Sequence, residues 1–180
     1  PVNGIDDDND GLVDNYNGWD IADNDNNPVA DTDAHGTEVT ATSSARTNNG
    51  EGMAGTGFHS KFMPLKTFRS GTDAFNMGYE AIALAVDLGC KVLNLSWGAP
   101  NSFSQFGQDV INYAVLDKDV VVVAAAGNTN ELLDFYPASF DNVLSVGATN
   151  IADEKAFFAT YSYFIDLMAP GEDIFTATNN

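Results

Sequence analysis

Apolar residues recur along the chain with two different periods. Ala74, Met77, Ala81, Leu84, Ala85 and Leu88 are spaced as one face of a helix over 73–88, and Gly89 supplies its stop. Ser102 with Gln105 forms a capping-box pattern ahead of Phe103, Phe106, Val110, Ala114 and Val115, one face of a second helix. Residues 35–46 predict a shorter one. Between and after the helices lie apolar runs of strand length: KFMPLKTF (61–68), KVLNLS (91–96), 120–126, NVLSVGA (142–148), YFIDLMA (163–169) and DIFTAT (173–178). Strands separated by helices of this length imply right-handed crossovers, hence an α/β fold with a mostly parallel sheet and helices on both faces. Near-continuous apolar runs agree with strands buried on both sides. No internal repeat and no linker divides the chain, so 1–180 is expected to be one unit.

The run VVVVAAAGNTN (120–130) starts as a buried strand and ends by presenting Gly127 and the amide of Asn128. A strand needs no asparagine to finish, because a turn with glycine or proline would do. In parallel α/β sheets, sites form beyond the carboxyl ends of the strands. Asn128 stands at such an end, and so do Ser96, Trp97 and Gly98.

Charge narrows the class. The chain carries 26 Asp and Glu against seven Lys and Arg, a net charge of −19 with a pI near 4.1, which argues against nucleic-acid binding. Such charge favours solubility, halotolerance or divalent cations. It is also uneven: residues 1–34 hold ten Asp and no Lys or Arg. Cys90 excludes an internal disulfide and reads as a small buried hydrophobe. No apolar stretch reaches transmembrane length, so no membrane partner is expected. The chain starts at Pro1 rather than Met, as a processed or excised product would.

The acidic start has its own logic. DDDNDGLVD (6–14) puts Asp6, Asp8 and Asp10 at alternate positions, then Gly11, then Asp14, which matches the opening of a calcium loop. Leu12 would offer its carbonyl. Asn17 stands where an EF-hand has its closing Glu. So many like charges repel without a cation, and a structural calcium ion is expected here. Asp20, Asp23 and Asp25 are candidates for a second ion. Downstream, His35 in DAHGTEV stands at a helix start near a strand end, a place suited to a general base. His59, in GFHSK, has no such context and reads as a loop residue.

HGTEV, GMAGTG, LNLSWG, VVVVAAAGN, YPASFDNVLSVGAT and DLMAPGEDI stand in the order found in subtilisin-like serine peptidases, the subtilases, and the chain resembles that family throughout. NGIDDDNDGLVDNYNGWDI looks like an insertion that many secreted members carry between their first two catalytic residues, so the Asp-rich calcium-loop-like insertion spans 1–34. The resemblance implies a partial subtilase catalytic domain with the subtilisin-like three-layer sandwich, lacking its first strand and C-terminal helices. It implies that His35 is the catalytic histidine and Asn128 the oxyanion-hole side chain. Ser96, Trp97 and Gly98 resemble the strand that pairs with substrate backbone, and Ala125, Ala126 and Gly127 the facing wall of the pocket for the residue before the cut. Small residues there leave room for a large apolar side chain.

The departures matter equally. The family order is Asp, His, Ser. No apolar strand ending in Asp precedes His35, and none of Ser139, Ser145 and Ser162 has the Gly-Thr-Ser-Met-Ala setting of the nucleophile. Glu38 stands where the family more often has a second histidine. The expectation is therefore a secreted, extracellular serine endopeptidase of which this chain is the central piece, inactive alone. It would act on polypeptides, and it would self-associate or bind the remainder of its own chain. The alternative from another class is a calcium-stabilised binding module that keeps the cleft without the chemistry.

Overall fold

The computed structural model describes residues 2–29, 33–69 and 77–178. Asp31 and the first turn of the helix expected at 73–88, Ala74 included, lie outside these. The chain divides into two compact units, Pro1–Ala81 with Phe175–Asn180, and Ile82–Ile174.

In the first unit, β1 (Trp19–Asp20) pairs in parallel with β2 (Leu65–Lys66), Trp19 opposite Leu65 and Asp20 opposite Lys66. Only glycine fits before β1. Gly18 has φ 112°, and a Cβ there would lie 2.3 Å from the Pro64 carbonyl oxygen. Asp20 is buried, and its carboxylate accepts from Lys66 Nζ at 2.7 Å and from the Asp23 amide at 2.9 Å. Helix α1 (His35–Ser44) matches the expected 35–46. Its N-cap, Ala34, offers no side-chain acceptor; just ahead of it the Asp33 carboxylate accepts from the His35 backbone N–H at 2.9 Å, and Glu38 in the first turn suits the helix dipole. Residues 55–57 then run back along the helix end: the amides of Gly55, Thr56 and Gly57 donate to the carbonyls of Ala45, Thr42 and Ser43 at 3.1, 3.0 and 2.8 Å.

The boundary between units falls within α2 (Gly78–Asp87), which buries Ala81, Ile82, Ala85 and Val86. Gly89 does stop it. With φ 87°, its amide donates to Val86 O and that of Cys90 to Ala85 O, both at 3.0 Å, the Schellman pattern.

The second unit holds a parallel sheet in the order β3 (Val92–Leu95), β5 (Val121–Ala125), β7 (Leu144–Thr149), β8 (Leu167–Pro170). A small antiparallel pair, β4 (Ala99–Pro100) with β6 (Phe135–Tyr136), joins the segments that follow β3 and β5. Burial alternates along β3, β5 and β7. Leu93, Leu95, Val122, Ala124, Ser145 and Thr149 are buried on one face. On the other, Val92 is 63% and Val121 52% exposed, and Leu167 of β8 is 52% exposed, so the apolar runs are not covered on both sides as their composition suggested.

Two further expectations change. The second helix, α3 (Gln105–Asn112), is capped by Ser104, whose Oγ accepts from the Gly107 amide at 3.3 Å, whereas Ser102 Oγ donates to Ala99 O. Its buried face is Gly107, Gln108 and Ile111, and in the π-helical turn that continues it over Tyr113–Asp117, Ala114. Phe103 instead stands among aromatics, its ring 5.6 Å from that of Tyr136 and 5.8 Å from that of Phe140. Residues 173–178 form no strand: Asp173 has φ 55°, which breaks an extended run, and Thr176 Oγ1 donates to Glu38 O at 2.7 Å.

Candidate functional site

The register of β3 on β5, Leu95 opposite Ala124, sets Ser96–Gly98 and Ala125–Asn128 side by side beyond the carboxyl ends of two adjacent strands. Asn128 is exposed, and its side-chain amide hydrogen-bonds no described residue, so its N–H donors are open to an incoming group. The backbone beneath it is fixed. The Ala126 amide donates to Val146 O at 2.9 Å, Gly127 O accepts from Thr160 N at 3.0 Å, and Thr160 Oγ1 accepts from the Thr129 amide at 3.1 Å. Thr160 is fully buried, so a shell of protein holds that loop. Ser96 Oγ accepts from Asn94 Nδ2 at 2.8 Å.

Sequence reasoning missed Phe135 here. A Cβ on Gly98 would lie 2.5 Å from one edge of its ring, and a Cβ on Gly127 2.6 Å from another, so the ring is lodged against both glycines. The room expected beside Ala125, Ala126 and Gly127 for a large apolar group is taken, on this side, by the chain's own phenylalanine. Its position is set by pairing, since Phe135 lies opposite Pro100 and its amide donates to Ser139 Oγ at 3.0 Å. The signal in the sequence was weak: only two glycines, Gly98 and Gly127, far apart along the chain, whose shared neighbour is a tertiary matter.

His35 opens α1 in the first unit, exposed, and its ring hydrogen-bonds no described residue. Asp33 accepts from its backbone N–H rather than from its ring. Glu38 is half-buried, and its carbonyl accepts from Thr42 and Thr176. The three downstream serines have structural partners: Ser139 Oγ accepts from Phe135 N, the Ser145 amide donates to Asp166 Oδ2 at 2.8 Å, and Ser162 Oγ donates to Asp134 Oδ1 at 3.3 Å.

In the acidic loop, one carboxylate oxygen from each of Asp6, Asp8 and Asp10 lies within 4.8 Å of the others. Calcium–oxygen distances of about 2.3–2.6 Å allow oxygens that far apart to share one ion, so this donor set fits calcium. The loop is organised by its own amides. Asp6 accepts from Gly11 N at 2.9 Å and Asp10 N at 3.2 Å, and Asp10 accepts from Leu12 N at 2.9 Å and Asn15 Nδ2 at 2.6 Å. Desolvation would raise the Asp6 pKa, but the amides of Gly11, Asn9 and Asp10 and the neighbouring Asp8 carboxyl together hold it below the usual value. Asp14 stands apart from the three: its two oxygens accept from the Asn3 and Gly4 amides, each at 2.8 Å. Asp20 and Asp23 are balanced by the chain itself, with Lys66 Nζ 2.7 Å from Asp20 and 3.7 Å from Asp23, and Arg69 Nε 3.5 Å from Asp23.

Comparison with known proteins gives this arrangement its class, that of the α/β subtilisin-like fold. A protease from Pseudoalteromonas arctica superposes with a TM-score of 0.70 at 31% identity, over 76% of this chain and 43% of its own. The psychrophilic subtilisin-like protease of an Antarctic Pseudoalteromonas does so with 0.69 at 30%, over 83% and 34%. By sequence, the chain is 39% identical over 165 residues to the thermophilic serine proteinase of Bacillus sp. (strain AK1), and 37% identical over 160 residues to thermitase of Thermoactinomyces vulgaris. Those matches cover 91% and 88% of this chain but 40% and 56% of the relatives. The family model described as the subtilase family matches residues 3–180, and the chain belongs to that family. Among the described residues, no helix is long and apolar enough to cross a membrane.

Proposed function

We propose that residues 1–180 are the central part of the catalytic domain of a secreted, calcium-stabilised serine endopeptidase that cleaves polypeptides through an Asp-His-Ser triad. The observation that carries this reading is Asn128, an exposed amide with open donors, held rigidly at the carboxyl end of β5 beside Ser96–Gly98. An amide so placed donates to the oxyanion of a tetrahedral intermediate, which forms only after attack on a peptide carbonyl. Losing such a donor lowers the rate by about 10²–10³, a figure that belongs to subtilisin itself. In this reading His35 takes the proton of the nucleophile and returns it to the leaving amine. Ser96, Trp97 and Gly98 bind substrate backbone on one side, and Ala125, Ala126 and Gly127 on the other. Phe135 between them favours a small side chain before the cut. Asp6, Asp8 and Asp10 hold the structural calcium, with Leu12 and Asp14 as further oxygen donors once the loop closes, and the ion neutralises charges that otherwise repel.

The catalytic Asp and Ser have no candidate in these residues, so the chain alone does not hydrolyse peptides. The remainder of its polypeptide, or a second copy, covers the open face bearing Val92, Val121 and Leu167. The test is a serine-directed fluorophosphonate. The 180-residue chain should remain unlabelled, and the coding sequence around it should supply a strand ending in Asp upstream and a Gly-Thr-Ser downstream. Stoichiometric labelling of the short chain would overturn the triad assignment, with Ser96 the first residue to replace. A cooperative monomer by light scattering, with flanks lacking both motifs, would favour the binding module.

A further inference from the structure

Within the first unit, a surface groove of about 790 Å³ runs between residues 44–49 and 57–62. Arg46, His59 and Lys61 line it together with Tyr16, Phe58 and Phe62. The three aromatics are 88%, 59% and 57% exposed, with the Phe58 ring edge-on to that of His59 at 4.5 Å, so much of each ring faces the groove's solvent. Among the described residues that line it there is no carboxylate, on a chain with 26 of them.

The cations are distinctive as well. Lys66, Arg69 and Lys118 sit in ion pairs, and Lys155 is held at 2.9–3.0 Å by Asn130 Oδ1 and the carbonyls of Ala156 and Ala159. Among the described residues, Arg46, Lys61 and Lys91 have no such partner, and two of these three line this groove. The walls are tied down. Thr47 Oγ1 donates to Phe58 O at 3.1 Å, Ser60 Oγ reaches Ser44 Oγ at 3.2 Å and Gly57 O at 2.9 Å, and the Gly57 amide donates to Ser43 O. A groove held open in this way binds without the entropy of ordering its walls.

We propose that this groove is an accessory docking site for a polypeptide segment that carries carboxylates next to aromatic side chains. Charge complementarity selects the occupant: Arg46 and Lys61 meet the carboxylates, while Tyr16, Phe58 and Phe62 receive the rings and stack with them. The net charge of −19 repels a long polyanion such as nucleic acid. A short peptide lies within about one screening length, roughly 8 Å at physiological salt, of the local cations and responds to them first. The site differs in residues from the strand-end cleft, so it stands whether or not the triad assignment does.

The test is fluorescence anisotropy with a fluorescein-labelled hexapeptide of alternating glutamate and phenylalanine. Lys61→Glu should weaken binding by about fivefold or more, a reversed surface charge acting on a contact it once favoured. Lys91→Glu makes the same change in net charge outside the groove and should alter binding less than twofold. Both side chains are exposed, and unchanged circular dichroism checks folding. The same peptide with glutamine in place of glutamate should bind at least fivefold more weakly. Equal losses in the two variants would overturn the proposal. So would tighter binding of a labelled oligothymidylate, or sedimentation showing a dimer that Lys61→Glu dissociates, which would put a second copy in the groove.

Discussion

Asp8→Asn isolates the contribution of charge in the acidic loop. Asp6 and Asp10 each accept hydrogen bonds from loop amides, so replacing them would unmake the turn as well as remove a ligand. Asp8 shares the cluster without holding an amide in place, and asparagine keeps its shape. Three carboxylates, those of Asp8 and Asp10 exposed and that of Asp6 half-buried, make a weak calcium site, in the range of about 10⁻⁴–10⁻³ M typical of extracellular modules. At 10 mM calcium, a site that binds only the folded state then contributes about 1.4–2.7 kcal/mol. For a chain of this size that raises the melting temperature by about 3–10 °C. Differential scanning fluorimetry in calcium and in chelator should show this rise in the parent and almost none in Asp8→Asn. In chelator the variant should be equal or slightly more stable, because one repelling charge has gone. Identical parent curves in calcium and chelator would refute the reasoning, as would a full calcium shift in the variant.

Lys66→Met strands the buried carboxylate of Asp20 and should destabilise the first unit by about 3–5 kcal/mol in urea denaturation, most of which Asp20→Asn in the same chain should restore. Gly127→Ala forces a side chain into a φ of 100° and against Phe135 and Thr160; a loss of about 1–3 kcal/mol is expected from the backbone alone, with Phe135→Ala as the partial rescue. The Asp6 carboxyl is depressed in the folded loop, so its contribution is present above the unfolded value of about 3.9 and disappears as pH falls through the lower folded value. Amide exchange of Asp10 and Gly11 should accordingly quicken only in acid below about pH 4, and loosening already at pH 6 would contradict the assignment.

Much of the fold was legible because it is written in local periods and punctuation. The valines and alanines of 120–126 read as a strand, although only one of its faces is buried, Gly89 can turn left-handed at the end of α2, and D-x-D-x-D-G places three carboxylates on one tight loop. The position of Asn128 followed from the same logic, since a polar residue closing an apolar strand stands at the strand's end. The later helix was misjudged in phase because Ser102 and Ser104 offer the same cap chemistry. Only the surrounding structure, with Ser104 meeting the Gly107 amide and a π-helical turn rotating the chain beyond Asn112, decides which face is buried. Residues 173–178 read as a strand from composition, yet among the described residues no strand pairs with them. Two matters lay wholly outside local sequence. Phe135 reaches Gly98 and Gly127 because β4 pairs with β6, and Arg46 shares a groove with Lys61 because residues 55–57 fold back on α1. Periodicity fixes what each segment is; which side chain fills the space between two segments depends on contacts that exist only once the chain has folded.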